Sequence, residues 1–216
     1  MMKHRASHQK IMEKEEKNPN IEQLDIREVF RRKSPRTARM IPGFVYCYLH
    51  RALVVDQINE ILRLYGHLHD LEFASACIRH FNVTVDYIGR EHLPEEGRFI
   101  FVSNHPLGGF DGVLITELIA NHFDENIKVL VNDILLNIKN MDGIFVPVNK
   151  HGAQAVEHVR ELDRIFQSDQ QVLTFPAGLV SRRKRGVIED PPWKKSFISK
   201  SVQYRRDVIP LHISGR

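Results

Sequence analysis

The stretch that decides the fold is residues 98–122, which read RFIFVSNHPLGGFDGVLITELIANH. It begins with aromatic and β-branched residues, which predict a strand over 98–104, and ends with a pattern typical of a helix over 111–122. Between them lies a loop with one histidine, a Gly-Gly pair and one aspartate. A strand that passes directly into a helix is the repeating unit of a parallel α/β sheet.

The same alternation continues along the chain. Further strands are predicted at 83–89, 127–131, 143–148, 171–175 and 207–213, and further helices at 133–140, 152–167 and 194–204. Upstream, helical patterns cover 21–30, 44–65 and 70–80, with a break at Pro35. The sequence therefore predicts an α/β fold, in which a largely parallel central sheet with flanking helices follows an N-terminal helical cap.

Three segments follow from this pattern. Residues 1–20 are polar and charged, which predicts a mobile tail. Residues 21–82 form the predicted helical cap, and residues 83–216 form the predicted α/β domain. The chain ends in HISGR directly after a predicted core strand, so we expect a C-terminal portion to be missing.

The composition is that of an ordinary globular protein, with 42% hydrophobic and 27% charged residues among 216. Charge interrupts every apolar segment before the ~18 residues that a membrane span needs. The N-terminus lacks the apolar segment of a secretory signal. Cys47 and Cys77 have no metal or redox spacing and are expected to be small hydrophobic residues in a reducing cytoplasm.

The net charge is +4, and the basic residues are clustered. The clusters comprise Arg31, Arg32, Lys33, Arg36 and Arg39; Arg182, Arg183, Lys184 and Arg185; Lys194 and Lys195; and Arg205 and Arg206. Such runs attract anionic lipid surfaces, acidic proteins or nucleic acid, although any one of them is also explained as a solvated basic face. No zinc-finger spacing, RNA-binding aromatic signature or basic zipper accompanies them, so no nucleic-acid partner is predicted.

The loop after the predicted strand at 98–104 gives the clearest indication of catalytic chemistry. Functional groups of open α/β sheets gather at the carboxyl ends of strands, where His105 and Asp111 lie. A histidine held by a carboxylate is a general base near neutral pH, and Gly108 and Gly109 give the loop the freedom to bring the two together. The alternative is that Asp111 only caps the helix and His105 is an ordinary loop residue.

A second loop, FPAGLVSRRKRG at 175–186, follows another strand. Pro176, Gly178 and Ser181 are expected to shape a turn that presents Arg182 and its basic neighbours. Guanidinium groups bind phosphate or carboxylate through two parallel hydrogen bonds. The alternative is a solvated basic hairpin tip.

The third loop ends the segment GIFVPVNKHG at 143–152 and carries Asn149 and Lys150. Asn149 is a candidate hydrogen-bond donor to substrate, and its alternative is a turn residue or helix cap.

In this order, the His105–Asp111 loop, GIFVPVNK, FPAGLVSR and VIPLHISG resemble the four motifs of the glycerolipid acyltransferase superfamily, which contains the lysophosphatidic acid acyltransferases. NHPLGGFDG and FPAGLVSRR are more similar to the bacterial, haemolysin-like branch that O-acylates lyso-aminolipids to ornithine or glycine lipids. The resemblance covers about residues 83–216. It implies an acyltransferase, an enzyme that transfers acyl groups other than amino-acyl groups.

The resemblance implies roles for individual residues. His105 is the expected general base and Asp111 the carboxylate that orients it. Residues expected to bind substrate are Asn104, Gly108, Gly109, Asn149, Lys150, Pro176, Gly178, Ser181 and Arg182. Neither a metal nor an organic cofactor is expected, because the acyl donor is a thioester of acyl carrier protein or of CoA.

The implied acceptor is a lyso-lipid, and the implied place of work is an anionic surface on the cytoplasmic side of the inner membrane. Phe44, Tyr48 and Leu49 are candidates for membrane contact, although burial in a core explains them equally well.

Two departures from the superfamily pattern bear on the substrate. Five residues separate His105 from Asp111, where four are usual, and Ala177 replaces the usual glutamate of the third motif. The second change favours a head group other than glycerol phosphate.

Three alternative functions stay open on the sequence. They are a 1-acylglycerol-3-phosphate acyltransferase, a non-catalytic lipid-binding relative, and a metal-dependent hydrolase built on His67, His69 and Asp70.

Overall fold

The computed structural model describes residues 23–52, 55–132, 135–148, 155–184 and 186–215. The predicted polar tail, residues 1–20, lies outside these ranges. The chain divides into two compact units, of which the first ends at Gly66 and the second begins at His67. The predicted boundary, at residue 82, lies later, because the helix at 70–80 packs with the second unit against the helix that follows the His105 loop.

The described residues of the first unit form four helices. These are α1 (Ile26–Lys33), α2 (Pro35–Met40), α3 (Gly43–Ala52) and α4 (Val55–Tyr65). The Asp25 carboxylate caps α1 by accepting hydrogen bonds from the N–H groups of Arg27 and Glu28. The predicted break falls at Pro35, which occupies the first turn of α2, where a missing N–H costs nothing. Leu24, Ile26, Tyr46 and Val55 form the buried core of this unit.

The predicted helix over 44–65 corresponds to α3, which is described to Ala52, and to α4, which is described from Val55. Residues 53 and 54 lie outside the described ranges. None of the helices in the described part of the chain is both long enough and apolar enough to cross a membrane.

The second unit is built on a five-stranded sheet. Its elements in chain order are α5 (Asp70–His80), β1 (Phe99–Ser103), α6 (Gly109–His122), β2 (Ile127–Val131), β3 (Phe145–Pro147), α7 (Ala155–Gln167), β4 (Gln171–Thr174), β5 (Arg182–Lys184), β6 (Val187–Glu189), α8 (Ser196–Tyr204) and β7 (Asp207–Leu211). The strand order is β3-β2-β4-β1-β7, and every pair is parallel. This confirms the predicted α/β fold with a parallel sheet and flanking helices.

Strand β1 lies inside the sheet, where Ile100 is opposite Val172 of β4 and Val208 of β7. All five of its residues are buried, which explains the apolar run from Phe99 to Val102, since helices cover both faces of a parallel sheet. Phe166 of α7 packs on the same core as Ile100 and Val102. The sheet therefore presents the loop after β1 from a rigid base.

Two local predictions are wrong. Residues 83–89 pair with no strand in the described part of the chain, although the side chains of residues 83–86 alternate between half-buried and exposed. The alternating sequence reflects one-sided burial, and burial alone does not make a ladder partner. The helix predicted at 133–140 corresponds, where it is described, to the 3₁₀ turns Leu135–Asn137 and Lys139–Met141.

One predicted surface cation is buried instead. Only 1% of Arg206 is exposed, and its guanidinium donates hydrogen bonds to five backbone carbonyls. The acceptors are the carbonyls of Phe99, Ile165, Phe166, Ser168 and Gln170. Burial, reinforced by the nearby charge of Arg98, lowers the pKa of Arg206 to about 10. Arg206 therefore joins the end of α7 to β1 and does not contribute to a polyanion-binding surface.

Candidate active site

The loop between β1 and α6, residues 104–108, is called the histidine loop below. It ends at Gly108, whose φ of 70° and ψ of −134° lie in a region that residues with a side chain rarely adopt. The sequence predicted Asp111 as the first residue of this helix. Helix α6 instead starts at Gly109, so Asp111 is its third residue. This places the Asp111 carboxylate in the first turn of the helix, from where it reaches back to the loop.

His105 and Asp111 are in direct contact. The His105 Nδ1 atom lies 2.9 Å from Oδ2 of Asp111, and the Leu107 N–H donates to the same oxygen at 2.9 Å. The Asp111 side chain is fully buried, whereas 18% of the His105 side chain is exposed. The carboxylate thus both caps a backbone N–H and orients the imidazole, and the five-residue spacing is accommodated.

This contact decides the chemistry of the imidazole. An ionised Asp111 holds the proton on Nδ1, which leaves Nε2 as a hydrogen-bond acceptor. Because Asp111 is excluded from water, its charge also stabilises an imidazolium more strongly than an exposed carboxylate would. The arrangement is suited to accepting a proton from a hydroxyl group.

The loop after β4, residues 175–181, is called the FPAG loop, and it packs directly on His105. The Phe175 ring stacks on the imidazole, with a centroid separation of 4.3 Å and an interplanar angle of 30°. The Ser181 N–H donates a hydrogen bond of 2.8 Å to the His105 carbonyl. Two of the three loops singled out from the sequence therefore meet at the imidazole.

Within the FPAG loop, Pro176 and Ala177 are buried, and Gly178 is half-buried with a φ of 69°. A Cβ atom added at Gly178 would lie 3.5 Å from Nζ of Lys194, so this ammonium group approaches the loop closely. Arg182 is exposed and lies outside the loop, at the start of β5. In the antiparallel register it is opposite Glu189 of β6. The basic loop is thus a β-hairpin, the structure that its alternative interpretation described.

Asn104 uses its amide on the backbone. Its Nδ2 donates to the Ile213 carbonyl and its Oδ1 accepts from the Ile213 N–H. The remaining predicted contacts, Asn149 and Lys150, lie outside the described residues. The sequence indicated their loop as a candidate because it follows β3, which ends at Pro147.

Sequence reasoning missed Asp190. Its Oδ1 accepts hydrogen bonds from the His105 N–H at 3.2 Å and from the Ser181 hydroxyl, and its Oδ2 accepts one of 2.8 Å from Trp193 Nε1. Partial burial raises the pKa of Asp190, but the three hydrogen bonds and the nearby His105 outweigh it, so the net shift is downward. Asp190 follows His105 by 85 residues, and no motif spacing connects them.

The metal-site alternative finds no support in the geometry. In the described part of the chain, no three His, Cys, Asp or Glu side chains form a group that could hold a metal ion, and His67, His69 and Asp70 are no exception. His69 instead occupies the N-cap position of α5, which begins at Asp70.

Comparisons with known proteins indicate the family of the chain. The model of a family described as acyltransferase matches residues 28–216. A lyso-glycine lipid O-acyltransferase from Bacteroides thetaiotaomicron is 44% identical over 193 residues, which cover 89% of this chain and 71% of the relative. A protein of the same name from Phocaeicola vulgatus is 39% identical over 193 residues, covering 89% of this chain and 69% of the relative.

Proposed function

The chain belongs to the acyltransferase family, and on this premise we propose that it transfers a fatty acyl group from an acyl thioester to the hydroxyl group of a lyso-glycine lipid. The acceptor comes from the printed names of the two relatives. The observation that carries the mechanism is the 2.9 Å contact between Nδ1 of His105 and the buried carboxylate of Asp111. A non-catalytic relative would need Asp111 only to cap the Leu107 N–H.

In the proposed reaction, Nε2 of His105 takes the proton of the acceptor hydroxyl as its oxygen attacks the thioester carbonyl. Asp111 keeps the other ring nitrogen protonated and stabilises the imidazolium. A new ester C–O bond forms and the C–S bond breaks. The imidazolium then returns the proton to the departing thiolate, so no acyl-enzyme is required.

The oxyanion of the tetrahedral intermediate needs hydrogen-bond donors. The backbone N–H groups beside Gly108 and Gly109 are the proposed donors, supported by the open space around Gly109, where an added Cβ atom would meet nothing within 4 Å. No metal or organic cofactor takes part in the proposed reaction. The thioester of acyl carrier protein or of CoA is a co-substrate.

The proposed acceptor contact is Arg182. The superfamily's third motif has a glutamate where this chain has Ala177, which is 5% exposed and brings no negative charge to the FPAG loop. Ala177 itself therefore does not repel the carboxylate of a glycine head group, and the exposed Arg182 offers that carboxylate two parallel hydrogen bonds. A lysophosphatidic acid acceptor is the second candidate, supported by the Lys194 ammonium beside Gly178.

The surface of the β5–β6 hairpin suits an acyl donor that carries negative charge. Arg182, Arg183 and Lys184 are all exposed, and within the hairpin Glu189 is the acidic counterpart of Lys184, at 3.6 Å. Excess positive charge of this kind accelerates encounters with an acidic carrier protein or with the phosphates of CoA.

Work at an anionic membrane surface is supported by the first unit. Met40, Phe44 and Tyr48 are 82%, 74% and 70% exposed, and basic residues of α1 and α2 precede them. Apolar side chains beside cations favour an anionic bilayer surface. Leu49, the third residue expected at the membrane, packs on the core of its own unit instead. We propose a peripheral association with the cytoplasmic face of the inner membrane.

The test is a parallel assay of acceptors. Labelled acyl carrier protein thioester and acyl-CoA are each offered with lyso-glycine lipid, lyso-ornithine lipid and lysophosphatidic acid. We expect the highest kcat/KM with lyso-glycine lipid, and Arg182→Gln should raise the KM of that acceptor selectively. Arg183→Gln is the matched control, because neighbouring strand residues point to opposite faces. A preference for lysophosphatidic acid would overturn the acceptor, and absence of transfer to all three would overturn the activity.

A further inference from the structure

A closed set of hydrogen bonds surrounds the backbone of His105. The His105 N–H donates to Oδ1 of Asp190, and the Ser181 hydroxyl donates to the same oxygen. The Ser181 N–H in turn donates to the His105 carbonyl. Trp193 binds the second carboxylate oxygen from the other side, so the carboxylate cannot rotate without losing a partner.

From this set we infer that Asp190 is a positioning residue, which holds the main chain of His105 against the FPAG loop so that Nε2 faces the acceptor. The inference rests on the proposed function only in that His105 is the base. The contact with Asp111 fixes the ring from one side, and Asn104 ties the start of the loop to Ile213. Asp190 supplies a further fixed point at the main chain of His105 itself, on a different segment of the chain.

The chemistry of the contacts suits this role. Hydrogen bonds to a carboxylate are about twice as strong as those between neutral groups. Burial raises the pKa of Asp190, but its three hydrogen bonds lower it by more, so the net shift is downward and favours the charged carboxylate. One side chain thereby satisfies donors from the histidine loop, the FPAG loop and the segment that leads into α8.

The first test compares Asp190→Ala with Asp163→Ala. Asp163 is a suitable control because its carboxylate, on α7, also accepts a hydrogen bond from an aromatic side chain, that of Tyr204 on α8. A misplacement of about 1 Å costs up to ~100-fold in rate, so we expect Asp190→Ala to lower kcat by about 10- to 100-fold with little change in the acceptor KM. Asp163→Ala should change neither by more than about twofold.

The second test needs no turnover. The Nδ1 proton of His105 should give a downfield NMR signal, identified by its absence in His105→Ala. We expect Asp190→Ala to broaden or remove this signal through faster exchange, and Asp163→Ala to leave it unchanged. The result stays interpretable if the acceptor or even the reaction has been assigned incorrectly.

Conservative variants separate position from charge. Asp190→Asn keeps one acceptor oxygen for His105 and Ser181, but its new NH₂ group faces the donor of Trp193. Adding Trp193→Phe removes that donor, so the double variant should recover kcat and the NMR signal relative to Asp190→Ala. The inference is overturned if Asp190→Ala keeps the signal and a kcat within about twofold of wild type, or if the double variant recovers neither.

Discussion

Asn104 and Ile213 hold each other by two hydrogen bonds of 2.7 Å, one in each direction between the Asn104 amide and the Ile213 backbone. Asn104 directly precedes His105, and Ile213 follows the edge strand β7. The pair therefore ties the start of the histidine loop to the last described segment of the chain. Since both polar groups of the amide are engaged, we expect Asn104 to act on the loop's position and not on the substrate.

Asn104→Ala should accordingly lower the free energy of unfolding by about 1–3 kcal/mol, because the Ile213 N–H and carbonyl lose their partners. Urea denaturation measures this loss. Asn126→Ala is the control, since it removes a single exposed hydrogen bond to the Asp169 carbonyl. Unchanged stability with a raised acceptor KM would instead support the substrate contact that the sequence predicted.

Arg206→Lys should be among the most destabilising conservative changes in the chain. A lysine cannot reproduce the guanidinium fork that serves five carbonyls, so we expect a loss of about 3 kcal/mol or more in the free energy of unfolding. The neighbouring Arg205 is exposed, and Arg205→Lys should cost less than about 0.5 kcal/mol. Equal effects of the two changes in denaturant titrations would contradict this assignment.

Cys77 predicts a dependence of stability on pH. Burial raises the pKa of its thiol from 9.0 to about 11. The folded state retains the proton where the unfolded chain loses it, so the contribution of Cys77 is fully present below pH 9.0 and is lost as the pH rises through about 11.

The stability difference between wild type and Cys77→Ala should therefore shrink by up to about 3 kcal/mol between pH 8.5 and pH 11. Thiol labelling gives an independent check at pH 8, where the exposed Cys47 should react and Cys77 should not. A pH-independent difference, or equal labelling of both thiols, would show that Cys77 is not buried in solution.

Binding to vesicles tests the surface formed by Phe44 and Tyr48. The double change to serine should weaken sedimentation with vesicles that contain phosphatidylglycerol by about tenfold or more, because two exposed apolar side chains are lost. Val156→Ser with Val159→Ser is the control, since these residues are also exposed, at 63% and 53%. Equal losses in both double variants would argue against a dedicated membrane surface.

The sequence predicted the parallel sheet well, because its strands appear as local patterns of apolar residues. The first four residues of β1 are apolar because the strand is covered on both faces, and the loop that follows is marked by the adjacent glycines 108 and 109. The segment at 83–89 shows the limit of this reasoning. Its alternation is that of a strand, and only the rest of the fold determines that it has no ladder partner among the described residues.

The candidate site was predictable where its residues lie close together in the sequence. His105 and Asp111 are close in sequence, and their contact follows from the turn between them. Asp190 was not predictable, because it reaches His105 only through the packing of the hairpin base against the histidine loop. Arg206 was wrongly expected at the surface for a similar reason. The adjacent pair Arg205 and Arg206 gives no sign in the sequence that one of them binds buried carbonyl groups.

The most direct test of the account is acyl transfer to lyso-glycine lipid by wild type, His105→Ala and Asp111→Asn, with His92→Ala as a control at an exposed histidine. Loss of the general base should lower kcat by about 10²- to 10⁴-fold, and Asp111→Asn should fall between wild type and His105→Ala. Binding of the lyso-lipid should persist in all variants. Transfer by His105→Ala at the wild-type rate would contradict the proposed mechanism.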